Sequence, residues 1–356
     1  RRQDLESLEQ QQLHEAGGPR RRIFLPAAES VRALRGSRRR LASLSYGWCS
    51  SGQPDPTNAY LLAVRRYLRH SLGTHILGLF WDFASLFQNP RTAPQEASFK
   101  EALSVMGDVY ASGLAVQVIR HRRIPARPEG FDGKLVLLPP AGLKPSQASV
   151  ADVLARFALA AHGGGEVKVE RADGGAEQWM VSYAQHEQAE AAVAALAAQL
   201  DAEGGALFTL WNPRPYEGRG WTTFESAVTT EVVARASYFK KQRAALSQLP
   251  PKLIEIDGDN GPVVAEEGVQ AAAHGGGDGA AGGAKARIDG IRDAIRAATF
   301  TGKGDKEMVV GLYNAYITKV VIAMHATGEK VSGTYEGEYN AAGEYEGRGT
   351  FRYANG

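Results

Sequence analysis

Ile76-Leu77-Gly78-Leu79-Phe80-Trp81-Asp82 is an unbroken apolar run that closes on a carboxylate. It is too short for a buried helix and carries no alternation, so it reads as a strand covered on both faces. That is the signature of a central strand in a parallel sheet, with Asp82 at its carboxyl end. Working upstream, Asn58 is placed to cap a helix over 59–70, whose apolar side is Leu61, Leu62, Val64, Tyr67 and Leu68. Residues 41–48 read as a short buried strand that runs into a polar turn with Pro54 and Pro56. Downstream, 98–112 is a second amphipathic helix, 114–119 a third strand and 253–257 a fourth. Strands alternating with helices at this spacing predict an α/β fold whose parallel sheet is wound with helices. Ligands of such sheets sit beyond the carboxyl ends of the strands. Tyr46, Trp48, Asp82 and Ser85 all fall at that edge.

The segment between the third and fourth strands has its own logic. Strands at 134–138, 166–171, 178–183 and 206–211 alternate with helices at 149–162 and 186–200. This βαββαβ order is that of a ferredoxin-like split unit, here inserted over 133–211. Its layout resembles an RNA-recognition module, but Gln178, Met180 and Val136 stand where base-stacking rings belong. Trp179, Val181 and Tyr183 alternate toward the core instead, so the insert is not expected to bind nucleic acid.

Composition narrows the rest. The net charge of +2 predicts no strong general attraction to nucleic acid or membrane. The charge is uneven, since Arg20-Arg21-Arg22 and Arg38-Arg39-Arg40 make residues 1–40 basic. That segment is weakly periodic and is expected to be a frayed helix or a disordered tail, solvated or touching phosphates or anionic lipid. A single cysteine, Cys49, excludes an internal disulfide and suits a reducing, cytoplasmic compartment. No apolar run approaches about 18 residues, the length that reads as a membrane-spanning helix. The chain lacks an initial Met and stops within a repeating pattern, so it reads as part of a longer protein. Residues 261–286 are a Gly/Ala-rich linker without a phosphate-loop pattern. Residues 287–330 form a helical segment in which Asp305 caps the second helix. No histidine or cysteine spacing fits a metal, and no cofactor is required.

Arg219-Gly220-Trp221-Thr222-Thr223-Phe224-Glu225 opens another helix, after the breakers Pro213, Pro215 and Gly218. Trp221 and Glu225 are four apart, so a helix sets the carboxylate a turn beyond the indole. Two readings stand. Beside the ring, Glu225 is partly desolvated and suited to acid–base or charge-stabilising chemistry. Otherwise Trp221 anchors the core while Glu225 is solvated or pairs with Arg219. Cys49 as a nucleophile finds no His partner in the sequence.

Three stretches share one resemblance. Ala42-Ser43-Leu44-Ser45-Tyr46-Gly47-Trp48 resembles the opening strand motif of the heterokaryon-incompatibility (HET) domain. Phe80-Trp81-Asp82-Phe83-Ala84-Ser85-Leu86-Phe87-Gln88 resembles its second motif, Trp-Ile-Asp followed by a loop to Gln, and Met106-Gly107-Asp108-Val109-Tyr110 matches the helix after it. Arg219 to Glu225 resembles the third, Arg-x-Trp-Thr-x-Gln-Glu, with Phe224 in place of the Gln. The resemblance covers most of 41–121 and 213–260, within a domain of 41–260. It implies a flavodoxin-like fold related to TIR domains, in some of which a glutamate four residues after a tryptophan cleaves NAD. Glu225 would then be catalytic, stabilising oxocarbenium-like charge as nicotinamide leaves. Tyr46, Trp48, Asp82, Ser85 and Trp221 would line the pocket for NAD as substrate. Other members of these families act by self-association, which makes a non-catalytic scaffold the alternative. Tyr335-Glu336-Gly337-Glu338-Tyr339 and Gly347-Arg348-Gly349-Thr350-Phe351, within 331–356, resemble a MORN repeat. It implies a β-hairpin opening an array that docks a protein or membrane surface. Together these imply an intracellular signalling or stress-response protein.

Overall fold

The computed structural model describes residues 1–14, 22–50, 52–163, 166–172, 177–238, 246–257, 261–265, 280–300, 304–326, 333–339 and 345–353. Within residues 1–40, expected as a frayed helix or a disordered tail, the described residues hold two helices. Helices α1 (Arg2–His14) and α2 (Ala27–Arg35) form there. α1 is fastened by polar groups, a device that apolar periodicity cannot register. Arg2 Nη1 donates to the Ser85 carbonyl at 2.6 Å, Gln3 Nε2 to the Gln88 carbonyl at 2.6 Å, and the Arg2 guanidinium lies 4.2 Å from the Phe87 ring centroid.

Strand β1 (Leu41–Tyr46) leads through the polar turn to α3 (Ala59–Arg69), then to β2 (Gly78–Phe80), the one-turn α4 (Asp82–Ser85), α5 (Ala93–Ala111) and β3 (Val116–His121). Asn58 does not cap α3: it takes a left-handed conformation at φ 58°, and Asp55 Oδ2 instead accepts the Leu61 N–H at 2.8 Å. α5 starts five residues before the expected boundary at 98, on a capping box formed by Thr92 and Gln95.

β1 pairs in parallel with β2 on one side and with β3 on the other. The apolar run that suggested a central strand is therefore an edge strand. Leu77 is half exposed, and β2 has β1 as its neighbour. The central position belongs to β3, which is buried throughout despite carrying Gln117, Arg120 and His121. Two of these polar groups are matched from inside. Gln117 accepts from the Tyr67 hydroxyl and donates to the Pro251 carbonyl, while Arg120 pairs with Glu255 and Ser226.

The insert follows as β4 (Lys134–Leu138), α6 (Val150–Phe157), α7 (Leu159–Gly163), β5 (Val167–Arg171), β6 (Trp179–Tyr183), α8 (His186–Ala202) and β7 (Ala206–Thr209). The expected 149–162 helix is split by Ala158, which sits at φ 46°. The four strands form a separate antiparallel sheet in the order β5-β6-β4-β7. The Trp179, Val181 and Tyr183 side chains are buried as the alternation required. Val136 is 1% exposed.

The chain re-enters the first unit through α9 (Gly220–Tyr238) and β8 (Leu253–Glu255). The short β9 (Val263–Val264) then pairs antiparallel with β8 inside the stretch read as linker. The completed sheet runs β2-β1-β3-β8-β9, parallel as far as β8. Side chains alternate across it. Leu44, Ile119 and Ile254 pack on α3, while Val118 and Leu253 pack on α5 and α9. Two more helices, α10 (Ala280–Ala297) and α11 (Asp305–Ala326), extend that second layer through Ile295, Val309 and Tyr313. The helical segment thus completes the α/β core rather than standing apart, and 280–286 are already helical; most of the expected linker, 266–279, lies outside the described residues. At the C-terminal end β10 (Gly333–Tyr339) and β11 (Tyr345–Tyr353) make an antiparallel hairpin with a register shift between Gly337 and Tyr339. Among the described residues, no helix is long and apolar enough to cross a membrane.

Candidate functional site

The alternation of β1 decides what meets at its carboxyl end. Ala42, Leu44 and Tyr46 turn to the α3 layer, so Ser45 turns the other way, toward α9. α9 arrives on a tight entry. Pro213 and Pro215 bar a helix until Tyr216, and the Thr222 hydroxyl donates to the Tyr216 carbonyl. One turn in, Glu225 lies over the end of β1, only 6% exposed.

Ser45 Oγ donates to Glu225 Oε2 at 2.5 Å and lies 2.5 Å from the Tyr216 hydroxyl. A serine hydroxyl has one proton, so Tyr216 must donate to Ser45 as Ser45 donates to Glu225. Tyr110 closes the other side and donates its hydroxyl to the Leu44 carbonyl at 2.9 Å. Burial pushes the Glu225 carboxyl up to about 8 and the charge of Asp82 adds to it, against the hydrogen bond of Ser45. At neutral pH Glu225 is mainly a protonated acid.

Asp82, half-buried, caps the same edge from the side of β2. Tyr46 Oη donates to Oδ1 at 2.9 Å, Trp48 Nε1 to Oδ2 at 2.8 Å, and the Phe83 N–H to Oδ1 at 2.6 Å. Burial raises its pKa while the Trp48, Phe83 and Tyr46 bonds lower it. Tyr46, Trp48 and Asp82 are thus brought together as the sequence suggested. Ser85 serves locally, its Oγ accepting the Trp81 N–H at 3.0 Å.

Trp221 is not brought into this cluster. Residues four apart on a helix differ by about 40° around its axis, and α9 is packed on more than one side. That offset sends Glu225 to the sheet and Trp221 to α11, where Nε1 donates to Asp305 Oδ2 at 3.1 Å. Tyrosines, not the indole, desolvate the carboxyl. Arg219 is no partner for Glu225 either. It is 7% exposed, and its guanidinium donates to the carbonyls of Trp48 at 2.5 Å and of Arg214 and Asn212 at 2.8 Å. Burial lowers it to about 10.

Arg219 also explains a glycine. A Cβ on Gly47 would lie 2.8 Å from Arg219 Cζ and Nε and 2.8 Å from Ile124 Cδ1, so only Gly lets β1 exit against the guanidinium. Cys49 is buried with its thiol raised to about 11 by burial, which removes its nucleophilic form at neutral pH. Among the described residues no group of His, Cys, Asp and Glu could hold a metal.

Sequence reading missed Ser45, Tyr110 and Tyr216 as members of the site. Ser45 lay inside a quoted motif, and its alternation with Leu44 and Tyr46 was the available signal. Tyr110 and Tyr216 carry no local signal, because their contacts span 66 and 171 residues. Chemically, the edge holds two carboxyls of unlike state, one enclosed and protonated, the other held by three donors.

No protein-family model, curated protein or solved structure matches this chain.

Proposed function

We propose that residues 41–260 are a HET/TIR-like signalling module, flavodoxin-like in winding, that works by self-association. The hairpin of β10 and β11 would act as a MORN repeat, docking the assembly on a protein or membrane surface. The observation that carries the non-catalytic reading is the enclosure of Glu225. At 6% exposure, with Oε2 engaged by Ser45, it cannot touch a ribose of a bound dinucleotide in this conformation. Its neutral form costs little to bury and ties β1 to α9 through Ser45 and Tyr216.

The second reading, NAD cleavage through Glu225, is favoured by one observation: Glu225 and Asp82 share an edge, and the Glu225 carboxyl is poised near 8, close to the working range of an acid–base group. It requires the α9 entry to open. Sedimentation velocity over a concentration series, with nicotinamide release from NAD measured on the same samples, separates the two. Self-association without release is the expected result. Release abolished by Glu225→Gln would replace the first reading with the second, and a silent monomer at every concentration would end both.

A further inference from the structure

Helix α2 is built the wrong way round for a helix that serves the core. A surface helix normally buries its large apolar stripe. Here half-buried Ser30 and Ala33 lie on the inner side, no residue of α2 is fully buried, and Val31 and Leu34 stand 45% and 43% exposed. Val31 and Leu34 are three apart and share a face, and exposed Arg32 and Arg35 form the adjoining stripe.

The amino edge of the large sheet repeats the pattern. Arg39 turns inward and donates Nε to the Gly113 carbonyl at 2.7 Å, and this leaves Arg38 and Arg40 exposed on either side. Two half-exposed leucines flank them. The Leu77 N–H donates to the Arg40 carbonyl at 2.7 Å, and the Arg39 N–H to the Leu114 carbonyl at 2.9 Å. Leu25, just before α2, lies against Gly78 of β2, which sets the two patches beside one another. None of Arg32, Arg35, Arg38 and Arg40 has a carboxylate partner among the described residues, and Glu29 is the one acid between 22 and 40.

From this surface we infer an anionic-lipid docking face, made by α2 and the amino edge of the sheet and distinct from the C-terminal hairpin. Arginines interleaved with exposed aliphatic side chains match a bilayer interface, where guanidinium groups meet headgroup phosphates and aliphatic groups enter the acyl boundary. A nucleic-acid backbone satisfies the arginines but gives Val31, Leu34, Leu77 and Leu114 nothing apolar to enter. Docked this way, the protein holds the Glu225–Asp82 edge away from the bilayer, because that edge is at the opposite ends of the same parallel strands.

The test is co-sedimentation of the full chain with phosphatidylcholine vesicles, with and without phosphatidylserine, at physiological ionic strength. Binding is expected with phosphatidylserine vesicles and not with phosphatidylcholine alone. Each arginine is worth about fivefold in partitioning, so changing Arg32, Arg35, Arg38 and Arg40 together to Gln should lower it by at least about a hundredfold. Val31→Ser with Leu34→Ser should lower it roughly tenfold while leaving the melting temperature unmoved. Vesicle binding unchanged in both variants would overturn the proposal. So would no vesicle binding at all, or tighter binding to an oligonucleotide that ignores the Val31 and Leu34 changes.

Discussion

The two sheets of this chain are supported in opposite ways. Around the insert's sheet the core is apolar: Leu135, Leu137, Phe157, Trp179, Val181 and Leu196 pack together, and of that unit's side chains His186 is the one buried polar group among the described residues. The large sheet instead buries Ser45, Gln117, Arg120, Arg219, Glu225 and Lys252, each tied to a partner. Buried polar networks stabilise little beyond what an apolar core would, yet each broken member is expensive. The difference teaches where this chain keeps its chemistry. The insert is built for packing, and the large sheet carries a network able to hold protons and fix loop positions.

Removing the largest apolar anchor is the most direct way to break the comparison. Trp179→Ala leaves a cavity in the insert and orphans the Leu143 carbonyl, which accepts its indole N–H at 2.8 Å. A loss of about 3–5 kcal/mol in urea denaturation is expected. A loss under about 1 kcal/mol would mean that the insert does not depend on its apolar core.

A second measurement sharpens the polar side. Glu225 is raised from 4.5 to about 8, so between those values the unfolded chain has released a proton that the folded chain keeps. Its contribution is fully present below pH 4.5 and is lost as pH rises toward 8, at about 1.4 kcal/mol per pH unit. Glu225→Gln cannot titrate. The stability difference between wild type and variant, followed from pH 5 to 8, should therefore move in the variant's favour with that slope; a flat difference would place the carboxyl in an ordinary ionised state. The smallest change expected is at Gly47→Ala, where the added methyl crowds Arg219 and Ile124. It should cost about 1–3 kcal/mol, and less if Arg219 is replaced first by Ala and Ile124 by Val, since the clash is with both side chains.

These residues also mark how far the sequence could be read. Strand–helix alternation along 41–121 and the βαββαβ order of the insert were legible, because both rest on local periodicity. The rank of strands within the sheet was not. The run at 76–82 is apolar throughout but lies at an edge, while the true centre, β3, carries Gln117, Arg120 and His121 and looks half polar. Hydropathy cannot distinguish a polar residue facing water from one matched by Tyr67, Glu255 or Ser226 far along the chain. The same limit applies at the site. Asp82 with Tyr46 and Trp48 was readable from their place at strand ends. The turning away of Trp221 depended on α11, some 84 residues later.

The guanidinium of Arg219 has a consequence for modularity. Its three carbonyl partners come from Trp48 at the exit of β1 and from Asn212 and Arg214 just after the insert returns. Trp211 is packed with Cys49 and Tyr60 in the large unit, and the Asn212 N–H donates to the Cys49 carbonyl at 2.7 Å. The return seam thus belongs to the host and not to the guest. A transplant that ended before Trp211 could exchange the whole small sheet for another domain, whereas a cut four residues later would carry off two of the lock's three carbonyls.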